Sequence, residues 1–104
     1  MKNYIKISFV FLFVGCSKEL ELDTLQERAG LLYEINSTEP FSGSVYKNYE
    51  SGEKEIKGYL KKGKLDGLHI IWYENGQKMF ENTYKEGKLI SINKMWNQDG
   101  SVKE

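Results

Sequence analysis

A chain of 104 residues has room for one domain, and its 15 basic and 15 acidic side chains leave no net charge. The lysines at 54, 57, 61, 62, 64, 78, 85 and 88 are interleaved with glutamates and aromatics, so there is no reason to expect nucleic acid as a partner. The single cysteine, Cys16, and the single histidine, His69, exclude an internal disulfide, a cysteine-based zinc site and a multi-histidine metal centre, and no cofactor is expected.

The first six residues, MKNYIK, carry two lysines and no acid, and 7–14, ISFVFLFV, form an apolar run that stops at Gly15-Cys16-Ser17. A positive start, a short apolar core and a small residue before the break are the layout of a secretion signal. The run is too short for a transmembrane helix, which needs about 20 apolar residues. Phe13-Val14-Gly15-Cys16 resembles the lipobox of bacterial lipoproteins, with Phe13 in place of the usual Leu. That resemblance implies a signal peptide over 1–15, cleavage between Gly15 and Cys16, and attachment to a membrane through lipid on Cys16. Ser17 stands where an aspartate would resemble an inner-membrane retention signal, so delivery to the outer membrane is expected. Removing residues 1–15 takes Lys2 and Lys6 and no acid, which leaves a net charge of −2. Residues 16–29 are expected to be the lipidated cysteine and a tether. Their polar sequence without Gly or Pro fits either a flexible segment or a short amphipathic helix.

From residue 43 the chain repeats with a period of 24. Gly43 matches Gly67; Gly52 matches Gly76 and Gly100; Gly63 matches Gly87; Tyr49 matches Tyr73; Trp72 matches Trp96; Ile56 matches Phe80. Residues 30–42 fit as the second half of an earlier unit, with Phe41 in the place of Leu65 and Leu89. Each unit reads as two strands. In the clearest one, LHIIWY (68–73) is followed by the turn signal Glu74-Asn75-Gly76, then by alternating QKMFENTY (77–84) and a second turn at Lys85-Glu86-Gly87. The fold expected over 30–104 is all-β: an antiparallel β-meander of repeated hairpins forming an elongated single sheet. If the 74–76 loop has three residues, Tyr73 faces Gln77. Tyr46, Ile56, Leu60, Leu68, Ile70, Trp72, Phe80, Tyr84, Ile92 and Trp96 then share one face, opposite Val45, Tyr49, Tyr59, Ile71, Tyr73, Met79 and Met95.

The pieces WYENGQK (72–78), YKEGKL (84–89), YESGEK (49–54), LKKGKLDG (60–67) and WNQDGSVK (96–103) resemble the bacterial variant of the MORN repeat. The opening RAGLLYEINSTEPFSG (28–43) resembles the start of such arrays in the YwqK family of antitoxins. Asn48 departs from the pattern at the place of Trp72 and Trp96, and Ser91 at the place of Gly43 and Gly67. The resemblance implies a repeat scaffold that binds another protein and, more sharply, an antitoxin or immunity protein of a toxin–antitoxin system.

Chemistry is sparse. His69 lies in a strand without a partner motif, so packing or exposure is the expectation, and a pair of convergent carboxylates is not expected on a narrow sheet. No enzyme is expected. The recurring glycines 43, 52, 63, 67, 76, 87 and 100 are read as turn residues rather than a phosphate loop. Tyr49, Trp72, Tyr73, Tyr84 and Trp96 are the candidate partner-binding or stacking aromatics, and cross-strand packing competes for the same side chains. Two functions stand against each other: a lipid-anchored module that binds a protein, a toxin in the sharper form, and a structural envelope lipoprotein that binds glycan, peptidoglycan or a membrane complex.

Overall fold

The computed structural model describes residues 18–103. The chain is all-β. In order, the strands are β1 (Glu19–Glu21), β2 (Leu25–Arg28), β3 (Leu31–Glu34), β4 (Gly43–Asn48), β5 (Lys54–Lys61), β6 (Lys64–Leu65), β7 (Gly67–Trp72), β8 (Lys78–Lys85) and β9 (Lys88–Met95), with a 3-10 turn over Leu22–Thr24. The main sheet runs β9-β8-β7-β5-β4-β1, and β6 adds to β5. From β4 to β9 it is an antiparallel meander, as the repeat predicts.

The 24-residue period is visible as recurring hydrogen bonds. The N–H groups of Tyr49, Tyr73 and Asn97 reach the carbonyls of Glu53, Gln77 and Ser101, each at 2.8 Å. Gly52, Gly76 and Gly100 donate back to the carbonyls of Tyr49, Tyr73 and Asn97 at 2.9, 3.0 and 2.9 Å. At the other end of each unit the Gly63 N–H donates to the Phe41 carbonyl and the Gly87 N–H to the Leu65 carbonyl, both at 2.8 Å, so Phe41 does stand where Leu65 stands. Lys62-Gly63 and Glu86-Gly87 both have positive φ at each residue (51° and 83°, 50° and 82°), the tight hairpin turn whose twist matches its strands. Ala29-Gly30 adopts the same turn at 52° and 83°.

That third turn overturns the expected tether. Residues 19–28 are not a linker: β1 pairs parallel with β4, and β2–β3 form a separate two-stranded hairpin, so the array is not a single sheet. The physical reason is the spacing of the leucines. In Glu19-Leu20-Glu21-Leu22 they alternate with acids at the period of a strand, which sends Leu20 to the Val45 side of the sheet. Leu22, Leu25 and Leu32 then pack with Phe41, Val45, Leu60 and Leu65 into a buried cluster, where Val45 and Leu60 are fully buried. The Leu32 N–H donates to the Gly63 carbonyl at 3.0 Å, which ties the hairpin to the sheet, and within the hairpin Arg28 stacks 4.1 Å from the Tyr33 ring centroid. Cys16 and Gly15 lie outside the described residues.

Tyr73 does face Gln77, but the two predicted faces are mixed. Register shifts by one between Ile71–Phe80 and Trp72–Lys78, and again between Lys47–Ile56 and Asn48–Lys54. Each bulge sits one residue past a turn and flips the parity of the strand that follows. Cross-strand partners share a face, so Ile56, Leu60, Phe80, Tyr84 and Ile92 lie with Val45, Ile71 and Met95 on the face that carries the core. Tyr46, Leu68, Ile70 and Trp72 lie with Tyr59 on the opposite, open face.

Candidate interaction surface

Four of the five aromatics singled out by the repeat are tied into the scaffold. The Tyr49 hydroxyl donates to the Trp72 carbonyl at 2.6 Å, and the Tyr73 hydroxyl to the Trp96 carbonyl at 2.9 Å. Each is a strap from one unit to the next. Burial pushes the Tyr49 phenol above its usual pKa, with Glu55 and Glu74 adding to the effect, which keeps it protonated as a donor. Trp72 and Trp96 are half-buried in a row with lysines of neighbouring strands. Lys54 Nζ lies 5.3 Å from the Trp72 ring centroid, and Lys78 and Lys94 lie 5.5 and 5.8 Å from that of Trp96. Such contacts contribute about 0.5–1 kcal/mol each where water reaches them. Lys78 is also held by Glu81 at 2.6 Å.

Tyr84, the fifth, packs edge-on against His69, centroids 5.2 Å apart at 75°. His69 and Asn82 face each other across β7 and β8, at the positions that Val45 and Gly58 occupy one unit earlier. Exchanging an apolar pair for a polar one leaves His69 Nδ1 and Asn82 Oδ1 buried without hydrogen-bond partners. Burial lowers the His69 pKa, so the ring is held neutral. The Asn82 amide and the Tyr84 ring are the neighbours of this imidazole on β8. Among the described residues no three His, Cys, Asp or Glu side chains gather to hold a metal.

The recurring glycines all have positive φ, but two are not in turns: Gly43 and Gly67 open β4 and β7. At Gly43 the reason is close approach. A Cβ there would stand 2.7 Å from the Phe41 ring and 2.8 Å from the Lys18 carbonyl oxygen.

The exposed apolar surface lies elsewhere on the sheet. β5 and β7 pair only at Ile56–Ile71 and Lys57–Ile70, while the Asp66 N–H turns back to the Tyr59 carbonyl at 2.9 Å. Where the strands part, the open face has a shallow depression of ≈ 460 Å³ lined by Lys57, Gly58, Tyr59, Asp66, Gly67, Leu68 and Ile70. Tyr59 and Leu68 are 44% and 51% exposed. Sequence reasoning passed over Leu68 because it belongs to an apolar strand run that reads as core. The pairing of Ile70 with Lys57 across β5 places Leu68 on the open side. Side by side, an apolar floor with a lysine and an aspartate at its rim can seat an apolar side chain of a partner and orient it by charge. Comparison with protein-family models, curated proteins and solved structures finds no match to this chain.

Proposed function

We propose that the chain is a lipid-anchored repeat protein that binds another protein, with Cys16 as the lipid attachment point and the open sheet face as the docking surface. The observation that carries this reading is the exposed pair Tyr59 and Leu68 beside Ile70, set between Lys57 and Asp66. Lone exposed apolar residues need no explanation, but a contiguous aromatic and aliphatic patch with a charged rim is the composition of a protein interface. In its sharper form, supported by the resemblance to the YwqK antitoxins, the partner is a toxin and binding neutralises it. The envelope-structural reading through sugar stacking is less favoured, because Lys54 and Lys78 already lie over the indoles of Trp72 and Trp96.

Affinity capture with the full chain in detergent, compared with a Leu68→Asp, Tyr59→Ser variant, tests the reading. One stoichiometric protein lost by the variant supports it. Equal capture by both chains, or recovery of wall fragments alone, refutes it. The lipid is tested separately by labelling cells with radioactive palmitate: label on the full chain, absent from Cys16→Ser, is the expected result.

A further inference from the structure

Most lysines around the open face are engaged. Lys57 lies 3.5 Å from Glu19 and Lys78 2.6 Å from Glu81, while Lys54 and Lys94 stand over the rings of Trp72 and Trp96. Lys61, Lys64, Lys85 and Lys88 are not: all four are exposed and form no ion pair among the described residues. They also face one another. Lys61 stands opposite Lys64 across the Lys62-Gly63 turn, and Lys85 stands opposite Lys88 across Glu86-Gly87. Like charges directly opposite on a sheet oppose folding. The same unfavourable pair is therefore built twice, one unit apart, and unlike the Tyr49 and Tyr73 straps it does not serve the stacking of the units.

The two pairs form one cluster beside the apolar patch. A Cβ on Gly87 would touch the Lys64 stem at 3.6 Å, so the two turns lie side by side. Lys61, Lys62, Lys64 and Lys85 line a depression of ≈ 440 Å³ with Asp66 and Glu86, and Asp66 also lines the depression that holds Tyr59 and Leu68. Along β5 Lys61 is two residues past Tyr59; along β8 Lys85 is two residues past Thr83, which faces Leu68. Residues two apart on a strand share a face and stand roughly 7 Å from each other, so the cluster begins one side chain away from the patch.

We infer that the partner docks through an acidic segment, with an apolar side chain on Tyr59 and Leu68 and carboxylates beside it on Lys61, Lys64, Lys85 and Lys88. A planar layer of phosphates would meet Asp66 and Glu86 along with the lysines, whereas a polypeptide sets its carboxylates on the lysines alone. The contact exists in small within the chain: β1 is an extended acidic segment, Glu19-Leu20-Glu21, whose Glu19 reaches Lys57 on this face. The inference rests on the protein-binding reading above and gives the partner a chemistry.

The test uses the full chain in detergent and two blocked synthetic peptides with the same Leu-Phe centre, one flanked by glutamates and one by lysines. The glutamate peptide is expected to bind at least about tenfold more tightly and to slow amide exchange over 61–66 and 84–88. In K61E/K85E each new carboxylate stands opposite a remaining lysine, so the urea midpoint is expected to rise while affinity for the glutamate peptide drops at least about tenfold. A midpoint that falls makes the lysines part of the scaffold and overturns the assignment, as does equal binding of the two peptides. Protection of the same segments by the anionic detergent lysophosphatidylglycerol, with none from the glutamate peptide, assigns the cluster to lipid headgroups and overturns it too. A captured protein whose affinity is unchanged by K61E/K85E but lost in Leu68→Asp, Tyr59→Ser overturns the acidic segment and leaves the protein-binding reading intact. Preference for the glutamate peptide in a chain that captures no protein supports the cluster and counts against that reading instead.

Discussion

Replacing Tyr49 or Tyr73 by Phe removes one hydroxyl and keeps the ring, so it isolates the straps that join consecutive units. Each strap is a short, part-buried bond to a tryptophan carbonyl, 2.6 Å for Tyr49 and 2.9 Å for Tyr73. Loss of a neutral hydrogen bond costs about 0.5–1.5 kcal/mol net, and more, about 1–3 kcal/mol, where the acceptor stays buried without water. About 1–2 kcal/mol per substitution is therefore expected, with Tyr49→Phe the costlier of the two. The straps share no partner, so the double variant is expected to lose the sum to within about 0.5 kcal/mol. For a domain of this size 1 kcal/mol corresponds to about 4–8 °C in Tm. Urea denaturation followed by tryptophan fluorescence reads the effect as a lower midpoint at constant slope. Tyr84→Phe is the control, since its hydroxyl makes no hydrogen bond among the described residues. If Tyr84→Phe costs as much as the strap variants, or if both strap variants are neutral, the unit-to-unit hydrogen bonds do not hold the array together.

Other perturbations follow from burial and backbone. Leu60→Ala, at a fully buried position under the β2–β3 hairpin, is expected to cost about 2–5 kcal/mol, whereas Leu89→Ala on the exposed edge stays within about 0.5 kcal/mol, as read by the same denaturation assay. Gly63→Ala and Gly87→Ala both incur the left-handed penalty of about 1–2 kcal/mol, but Gly63→Ala costs more. Its Cβ would meet Leu31, Leu32 and Pro40 at 3.0 Å, while that of Gly87 meets only the Lys64 stem at 3.6 Å or beyond. His69 supplies a pH signature. Its pKa is lowered on folding by burial, so the unfolded state binds the proton more readily. The stability it contributes is complete above pH about 6.5 and declines as pH falls through the lowered folded value. Urea midpoints measured from pH 8 to 5 should show this slope in the wild type and lose it in His69→Phe.

Much of the scaffold was legible because its signals are local. Asn75-Gly76 and Asp99-Gly100 announce their turns, and the 24-residue period places Phe41 with Leu65 before any coordinate is known. What the sequence concealed is non-local. β1 has three residues and pairs parallel with β4, a partner 25 residues further along the chain, so neither its length nor a neighbouring turn marks it. The facing of the side chains was lost at the bulges before Trp72 and beside Asn48, because a single extra residue reverses the alternation and nothing in the residue types there demands it. The site suffered from the same error. Tyr49, Tyr73 and the two tryptophans recur, and recurrence in a repeat marks what every unit needs to stack. Tyr59 and Leu68 occur once each at the gap between β5 and β7, where one unit departs from the next.

Docking of a protein on the open sheet face is measured by the affinity of the captured partner for the full wild-type chain and for the Leu68→Asp, Tyr59→Ser variant, both shown to unfold at the same urea concentration. A loss of at least about tenfold is expected, the effect of removing one interface anchor of roughly 1.4 kcal/mol or more. Equal affinity for the two chains would contradict it.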